Sequence, residues 1–174
     1  MTKRIVLFLI VIWIALSPLS SAVALAAGEE EVLSTETVTG PNGEEWIVQS
    51  FEQIETTSSD GVAGCKLYTR GVSAKNVIGQ LLLKYSWKIS WCYDGTKITS
   101  LNRSRQVFTN YGWAFLGDIA DNTSGGVNSA SFWGYAQGDF CFFPVGGSSC
   151  ILHLYPWVEQ NVYKDGNFNG SSGF

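Results

Sequence analysis

The side chains that could carry out acid–base or nucleophilic chemistry are few in this 174-residue sequence. The single histidine, His153, stands in CILHLY (150–155), whose alternation predicts a strand face shared with Ile151 and Tyr155. A Ser–His–Asp triad needs a serine and a carboxylate beside the histidine, and the sequence has no G-x-S-x-G nucleophile motif. We therefore expect His153 to be a structural strand histidine.

Glycoside hydrolysis would instead need two carboxyl groups on either side of the scissile bond. In the part of the chain that we expect to be compact, the acidic residues are Asp94, Asp118, Asp121, Asp139 and Glu159. Asp94 fits an Asp-Gly turn of type I′, and nothing in the spacing makes two of the others face each other. We expect a protein that is not an enzyme, and converging carboxylates would overturn this expectation.

All four cysteines follow residue 60, and none forms the C-x₂₋₄-C pair typical of a zinc site. An even number in an exported chain favours two disulfides, for which three pairings are possible. We predict Cys65–Cys92 and Cys141–Cys150, because the second pair would close a turn-prone loop, FFPVGGSS. The segment 165–170, DGNFNG, matches only the first half of a calcium loop and lacks its final Glu. We therefore expect no metal and no cofactor.

Aromatic residues give a clearer functional signal. Six of the seven tryptophans lie after residue 26 together with seven tyrosines, more than one small core readily buries. Aromatic residues are concentrated in the short stretches 132–135 and 155–157, so we expect some of them to point outward. We predict that Trp133, Tyr135 and Trp157 form an exposed binding surface. The basic residues expected beside these rings are Lys84, Lys88, Lys97, Arg103 and Arg105.

Charge is strongly segregated along the chain. Residues 28–60 contain nine acidic residues and no Lys or Arg, whereas 66–105 contain eight basic residues and one acidic residue. One interpretation is that the two blocks neutralise each other within the fold, and another is that the basic block binds an anionic cell-envelope surface. Nucleic acid is not expected as a partner, because the chain after residue 26 is net acidic and exported.

The first 26 residues have the three parts of a secretory signal peptide. Lys3 and Arg4 precede an apolar run, 5–16, that is too short to span a bilayer, and Ala24-Leu25-Ala26 forms a cleavage site. We therefore predict a secreted protein with no transmembrane segment after processing. Residues 27–60 are expected to be a flexible acidic leader or a pro-segment, and 61–174 a single β domain with a loose tail.

The remaining sequence predicts strands. In YSWKISWCYDGTKIT (85–99), large apolar residues alternate with small or polar ones up to Asp-Gly, the pattern of a hairpin with one buried face. Only 74–84 has a possible helical period, and it could equally be a strand. Ten strands are predicted, at 46–52, 63–70, 85–92, 97–102, 105–109, 112–117, 129–136, 139–143, 150–155 and 158–163. The expected fold is an antiparallel two-sheet sandwich, with the choice between jelly-roll and immunoglobulin-like topology left open.

These features lead us to expect a secreted, non-catalytic binding module. It would recognise a carbohydrate or cell-envelope polymer through exposed aromatic rings and a basic strand face. The alternative is a secreted effector, such as a toxin, an antimicrobial protein or a protease inhibitor, that carries an acidic pro-segment. The oligomeric state stays open.

Overall fold

The computed structural model describes residues 28–40, 43–56, 63–143 and 149–174. These form β-strands and no helix. The strands are β1 (Glu31–Thr39), β2 (Glu45–Thr56), β3 (Gly64–Asn76), β4 (Leu81–Tyr93), β5 (Ile98–Thr109), β6 (Trp113–Gly125), β7 (Ser131–Phe142), β8 (Leu152–Leu154), β9 (Trp157–Tyr163) and β10 (Phe168–Gly173). The described residues accordingly offer no helix long and apolar enough to cross a membrane. The predicted signal peptide lies outside them.

Two antiparallel sheets of five strands each make up the structure. The first sheet has the order β1-β2-β3-β4-β5, and the second has the order β10-β9-β7-β6 with β8 also paired to β7. Their inner faces share one apolar core, as expected for a sandwich. Jelly rolls and immunoglobulin-like domains contain Greek-key connections. Here the first sheet is a meander of chain neighbours, and the second differs from one only in that β8 and β9 both pair with β7, so neither of the two anticipated topologies is present among the described strands.

Strands β8 and β9 pair with the same side of β7. Residues 140–142 of β7 pair with β8, and residues 131–137 pair with β9. The interruption falls at Tyr155–Pro156, where proline has no N–H to donate to the ladder. The Pro156 carbonyl instead accepts a hydrogen bond from the Gly138 N–H at 2.9 Å. The two short strands therefore act as one broken strand along the edge of β7.

The β4–β5 hairpin contains the stretch with the strongest alternation, and its apolar face is buried. Tyr85, Trp87, Ile89 and Trp91 are at most 2% exposed. The turn is not type I′, which needs two residues with positive φ, because only Gly95 has one (φ 83°). Asp94 instead accepts hydrogen bonds from the Thr96 hydroxyl and from two backbone N–H groups. These bonds favour the ionised carboxylate and lower the Asp94 pKa to about 2.

The acidic segment is not a flexible leader, since it supplies β1 and β2 of the first sheet. Strand β2 pairs with β3 from Trp46 to Thr56, and Trp46 and Phe51 are buried. The expected loose tail is likewise the strand β10, in which the Ser172 hydroxyl donates to the Gly71 carbonyl of the other sheet. The segment 74–84 consists of strand ends and a turn. Trp46, Val48 and Ile54 of β2 and Phe168 of β10 reach the core, and the acidic or Gly-rich composition around them obscured this.

Both predicted disulfides are present. Cys65 and Cys92 lie opposite each other on β3 and β4, and we call their bond the strand disulfide. Cys141 and Cys150 join the end of β7 to the residues just before β8, and we call this bond the loop disulfide. No described cysteine is free.

Candidate binding face

The outward surface of β7 and β9 collects the three aromatic rings predicted for binding. Along β7, Trp133 and Tyr135 alternate with residues that are buried between the sheets. Along β9, Trp157 alternates with buried residues in the same way. Antiparallel register places Trp157 opposite Gln137, two pairs along the ladder from Tyr135 opposite Glu159. We call this surface, comprising the outward residues of 133–139 and 153–161, the aromatic face.

The rings of the aromatic face are held in fixed positions. Tyr135 and Trp157 stack with ring centroids 6.2 Å apart and planes 22° from parallel. The Trp133 indole N–H donates to the Glu159 carboxylate at 2.8 Å, which satisfies its only polar atom. Trp157 lies over Gly173 of β10, where a Cβ atom would stand 3.2 Å from the indole. All three rings are half-buried, so part of each ring is accessible to solvent.

Polar side chains surround the rings. The Gln137 amide donates to the Tyr155 carbonyl at 3.1 Å, and the Asn161 amide donates to Asn169 at 2.9 Å. Such amides and the Glu159 carboxylate could hydrogen-bond to the hydroxyl groups of a ligand lying on the rings. Sequence analysis overlooked these residues, although the alternation in WVEQNVY (157–163) already places Glu159 and Asn161 on the same face as Trp157.

A histidine–carboxylate pair closes one end of the aromatic face. His153 Nδ1 lies 2.7 Å from an oxygen of Asp139, and the imidazole stacks on Tyr155 with planes 12° apart. Asp139 is six residues from Trp133 along β7, about 20 Å in an extended strand. The face is thus a strip long enough for a polymeric ligand rather than a pocket for one small molecule.

At the same end, three residues are close enough together to bind a metal ion, but the oxidation state of the two cysteines among them argues against metal binding. Among the described residues, Cys141, Cys150 and His153 bring potential ligand atoms within 4.8 Å of one another. The two sulfurs, however, form the loop disulfide, and metal binding by cysteine requires a thiolate. With the disulfide intact, the group offers only one imidazole.

The basic residues are not brought together with the aromatic rings. Lys84 forms an ion pair with Glu30 at 2.7 Å and lies over the ring of Phe51, on the outer face of the first sheet. Lys88 also projects from the outer face of that sheet, and Lys97 donates from the β4–β5 turn to Asn128. The aromatic face belongs to the second sheet, so the predicted combination of rings and basic residues is not present.

Arg103 and Arg105 instead interact with acidic residues of the other sheet. They lie on β5 opposite Ile89 and Trp87, on the inward side of the first sheet, where its edge meets β6. Arg105 pairs with Asp118 and, at 3.1 Å, with Asp121, while Arg103 lies 3.8 Å from Asp121. We call this set of four residues the β5–β6 seam. These two Asp residues, which could have formed a catalytic pair, both contact Arg105.

The acidic and basic blocks of the sequence do meet within the fold. Glu52 of β2 accepts from the Arg70 guanidinium at 2.9 Å and from the Tyr68 hydroxyl at 3.1 Å. The Glu30–Lys84 pair makes a second link between the blocks. Burial is the largest influence on the Tyr68 hydroxyl, and it raises the pKa of this residue to about 12. Part of the charge segregation is therefore neutralised inside the first sheet.

The chain matches no protein-family model, no curated protein and no solved structure. The function proposed below consequently rests on the geometry and chemistry of the chain itself.

Proposed function

We propose that the protein is a secreted module that binds a carbohydrate polymer on its aromatic face. The observation that carries this proposal is the set of three half-buried rings, Trp133, Tyr135 and Trp157, on one surface of β7 and β9. A pyranose ring presents C–H groups on its flat side and hydroxyl groups around its rim. Aromatic rings suit the flat side, and the neighbouring amides and Glu159 suit the rim.

The positions of the rings favour such a ligand. Tyr135 and Trp157 are stacked with nearly parallel planes, and Trp133 is anchored by Glu159. Because the rings are already ordered, binding loses little side-chain conformational entropy. The face extends along the strands, which suits a linear chain of sugars more than a single compact residue.

Electrostatic attraction has a smaller part in this proposal than the sequence suggested. The basic residues expected beside the rings are on the first sheet or paired in the seam. A neutral polysaccharide is therefore the preferred ligand class. Its binding should change little between low and physiological salt, because screening acts on charge pairs.

The test is a binding screen on the secreted chain with neutral polysaccharides, such as cellulose, chitin, xylan and mannan, immobilised in parallel. Trp157→Ala and Trp133→Ala should each weaken binding about tenfold or more, which corresponds to about 1.4 kcal/mol. Phe108→Ala is the matched control, because Phe108 is 43% exposed but lies on β5 of the other sheet. Binding to none of the polymers, or binding indifferent to both tryptophan variants, would overturn the proposal.

Secretion is supported by the signal-like pattern of residues 1–26 and by two disulfides, which persist in oxidising compartments. N-terminal sequencing of chain recovered from culture medium should give a start at residue 27 or 28. Reduced thiols in the isolated chain would contradict export.

The alternative, an effector with a removable acidic pro-segment, has less support. Cleavage near residues 57–61 would separate β1 and β2 from the sheet that they complete. It would also release Trp46 from its contact with Trp113 (ring centroids 5.4 Å apart) and deprive Arg70 of Glu52. We therefore favour a module that retains these strands.

A further inference from the structure

Strand β1 is an edge strand with unusual exposure. It pairs with β2 on one side, and the sheet order leaves its other side unpaired among the described strands. All nine residues are exposed, so neither face of the strand is covered. Natural edge strands are commonly protected by charged residues, Pro or bulges; β1, EVLSTETVT, has two glutamates but no Lys or Pro. Apart from a bulge between Val32 and Ser34, this edge is a regular template for another strand.

A cleft of about 360 Å³ lies under β1 and β2. One wall is the inward face of these strands, including Val38 and Trp46, and the other is formed by Leu152, Leu154 and Phe174. Its volume is in the range that accommodates a ligand group or a large side chain. Apolar and polar residues both line the cleft, and Ser34, Glu36 and Val38 of the edge strand β1 are among them.

Negative charge is the third feature of the same surface. Glu36 lines the cleft, and the register of β1 opposite β2 places Glu31 on that same inward face. Two other acidic residues of the segment have cationic partners, since Glu30 pairs with Lys84 and Glu52 pairs with Arg70. Within the described part of the chain, Glu31 and Glu36 make no ion pair. A cationic group on a partner would therefore find two available carboxylates.

We propose that β1 docks an extended segment of a partner protein that carries basic residues around one apolar residue. The segment adds a strand to the first sheet, its apolar side chain enters the cleft, and its basic side chains approach Glu31 and Glu36. Strand addition obtains affinity from backbone hydrogen bonds and specificity from pockets for alternate side chains. Here both a free edge and a pocket on one face of it are present.

Charge and edge together argue for this occupant over two others. A second copy of the chain would bring the same acidic strand against β1, which like charges oppose. A small molecule could fill the cleft but would leave the backbone groups of β1 unused. This proposal concerns the first sheet and does not depend on carbohydrate binding by the second.

The test uses the secreted chain and a fluorescently labelled probe peptide, KTKTLTKTK, followed by fluorescence anisotropy. In an extended strand, Lys and Leu share one face of this peptide and Thr the other. The expected result is binding that weakens as salt is raised from about 50 to about 500 mM. The variant KTKTSTKTK, which removes the cleft-filling side chain, should bind about fivefold or more weakly. A version of KTKTLTKTK with N-methylated backbone amides along both of its edges should not bind, because it cannot donate backbone hydrogen bonds to β1.

A charge exchange separates specific docking from damage to the fold. Glu31→Lys combined with Glu36→Lys should abolish binding of KTKTLTKTK and create binding of ETETLTETE. Glu36→Lys alone should weaken the basic probe about fivefold. Glu45→Lys is its matched control: it makes the same charge change on β2, but Glu45 alternates with Trp46 and faces away from the cleft. It should leave binding within twofold.

The opposite results would overturn the proposal. These are an N-methylated probe that binds as well as its parent, a charge exchange that fails to switch the probe preference, or equal effects of the Glu36 and Glu45 variants. A concentration-dependent dimer in light scattering that disappears in the double lysine variant would assign the edge to a second copy instead.

Discussion

Replacing Arg105 by alanine should destabilise the fold and leave carbohydrate binding intact. The guanidinium contacts Asp118 and lies 3.1 Å from Asp121. It also lies over two core rings, 5.9 Å from the centre of Tyr85 and 5.6 Å from that of Trp87. The side chain is only 18% exposed, so water cannot replace most of these contacts when it is removed.

The expected loss of stability is about 3 kcal/mol. A hydrogen bond to a charged partner contributes about 1.5–3 kcal/mol, which we assign to Asp118. Asp121 is 47% exposed, so its ion pair adds less than about 1 kcal/mol. The contact with the rings adds about 0.5–1 kcal/mol. The buried Arg105 Nε has no hydrogen-bond partner, which argues against a larger figure.

Urea unfolding followed by tryptophan fluorescence measures this loss directly, and a thermal scan should show a midpoint lower by roughly 6–12 °C. Lys88→Ala is the control, because Lys88 lies on the outer face of the first sheet. Its effect should be within about 0.5 kcal/mol. In a double-mutant cycle, Asp118→Asn should cost much less in the Arg105→Ala background than alone.

One result would refute this reasoning. If Arg105→Ala changed stability by less than about 0.5 kcal/mol but weakened polysaccharide binding, the arginine would be a ligand contact and the seam would not hold the two sheets together.

Three further predictions concern the core and the cross-links. Burial raises the pKa values of Tyr68 and Tyr85 to about 12, so the folded state keeps protons that the unfolded state releases near pH 10. The stability that these two tyrosines contribute should be constant between about pH 7 and 9 and fall between about pH 10 and 12, and urea midpoints that stay flat over the alkaline range would contradict this. Gly134→Ala should cost about 1–3 kcal/mol in urea unfolding, because its Cβ would stand 2.5 Å from the Trp87 indole, and an unchanged midpoint would disprove the close approach. Replacing the strand disulfide by alanines should lower the free energy of unfolding by about 3.6 kcal/mol, and replacing the loop disulfide should lower it by about 2.7 kcal/mol, because the bonded cysteines are 27 and 9 residues apart. If unfolding experiments gave the reverse order, the stabilisation would not come from chain entropy.

Features that depend on local alternation could be predicted from the sequence. The buried face of β4, with Trp87 and Trp91, follows from strict alternation over eight residues. The outward placement of Trp133 and Trp157 follows from the same rule, because both have buried neighbours on either side along the strand. Both disulfides were also predicted correctly. That Trp133 and Trp157 bind a ligand remains a prediction.

Features that depend on pairing between distant strands could not be predicted in this way. Arg103 and Arg105 alternate with polar residues, and only the register against β4 shows that they share a side with the core. The partners Asp118 and Asp121 come from a different sheet. The charge of a residue does not reveal from the sequence whether its partner is a ligand or a residue of another strand. The prediction that basic residues lie beside the aromatic rings was therefore wrong.

The acidic segment illustrates the opposite error. Nine acidic residues without a basic one suggested a flexible leader, and yet the same segment contains Trp46, Val48 and Ile54, which share the inward face of β2 and pack in the core. Net charge describes solubility and partners, whereas polarity period describes the element that forms. Where the two disagree, as they do here, the apolar residues that reach the core decide which element forms.

The two proposed binding surfaces differ in how far the fold orders them before a ligand arrives. The aromatic face lies on β7 and β9, whose inward residues, such as Phe140 and Val158, are fully buried, so its rings are fixed by the core itself. Strand β1 is exposed on both faces and is held by one neighbour, so it opens locally at low cost in free energy. A ligand of the aromatic face meets a rigid surface, while a segment docking on β1 must also order the strand that it joins. Affinity at β1 should therefore depend on several contacts acting together, which is why the edge, the cleft and the two carboxylates are needed as a set.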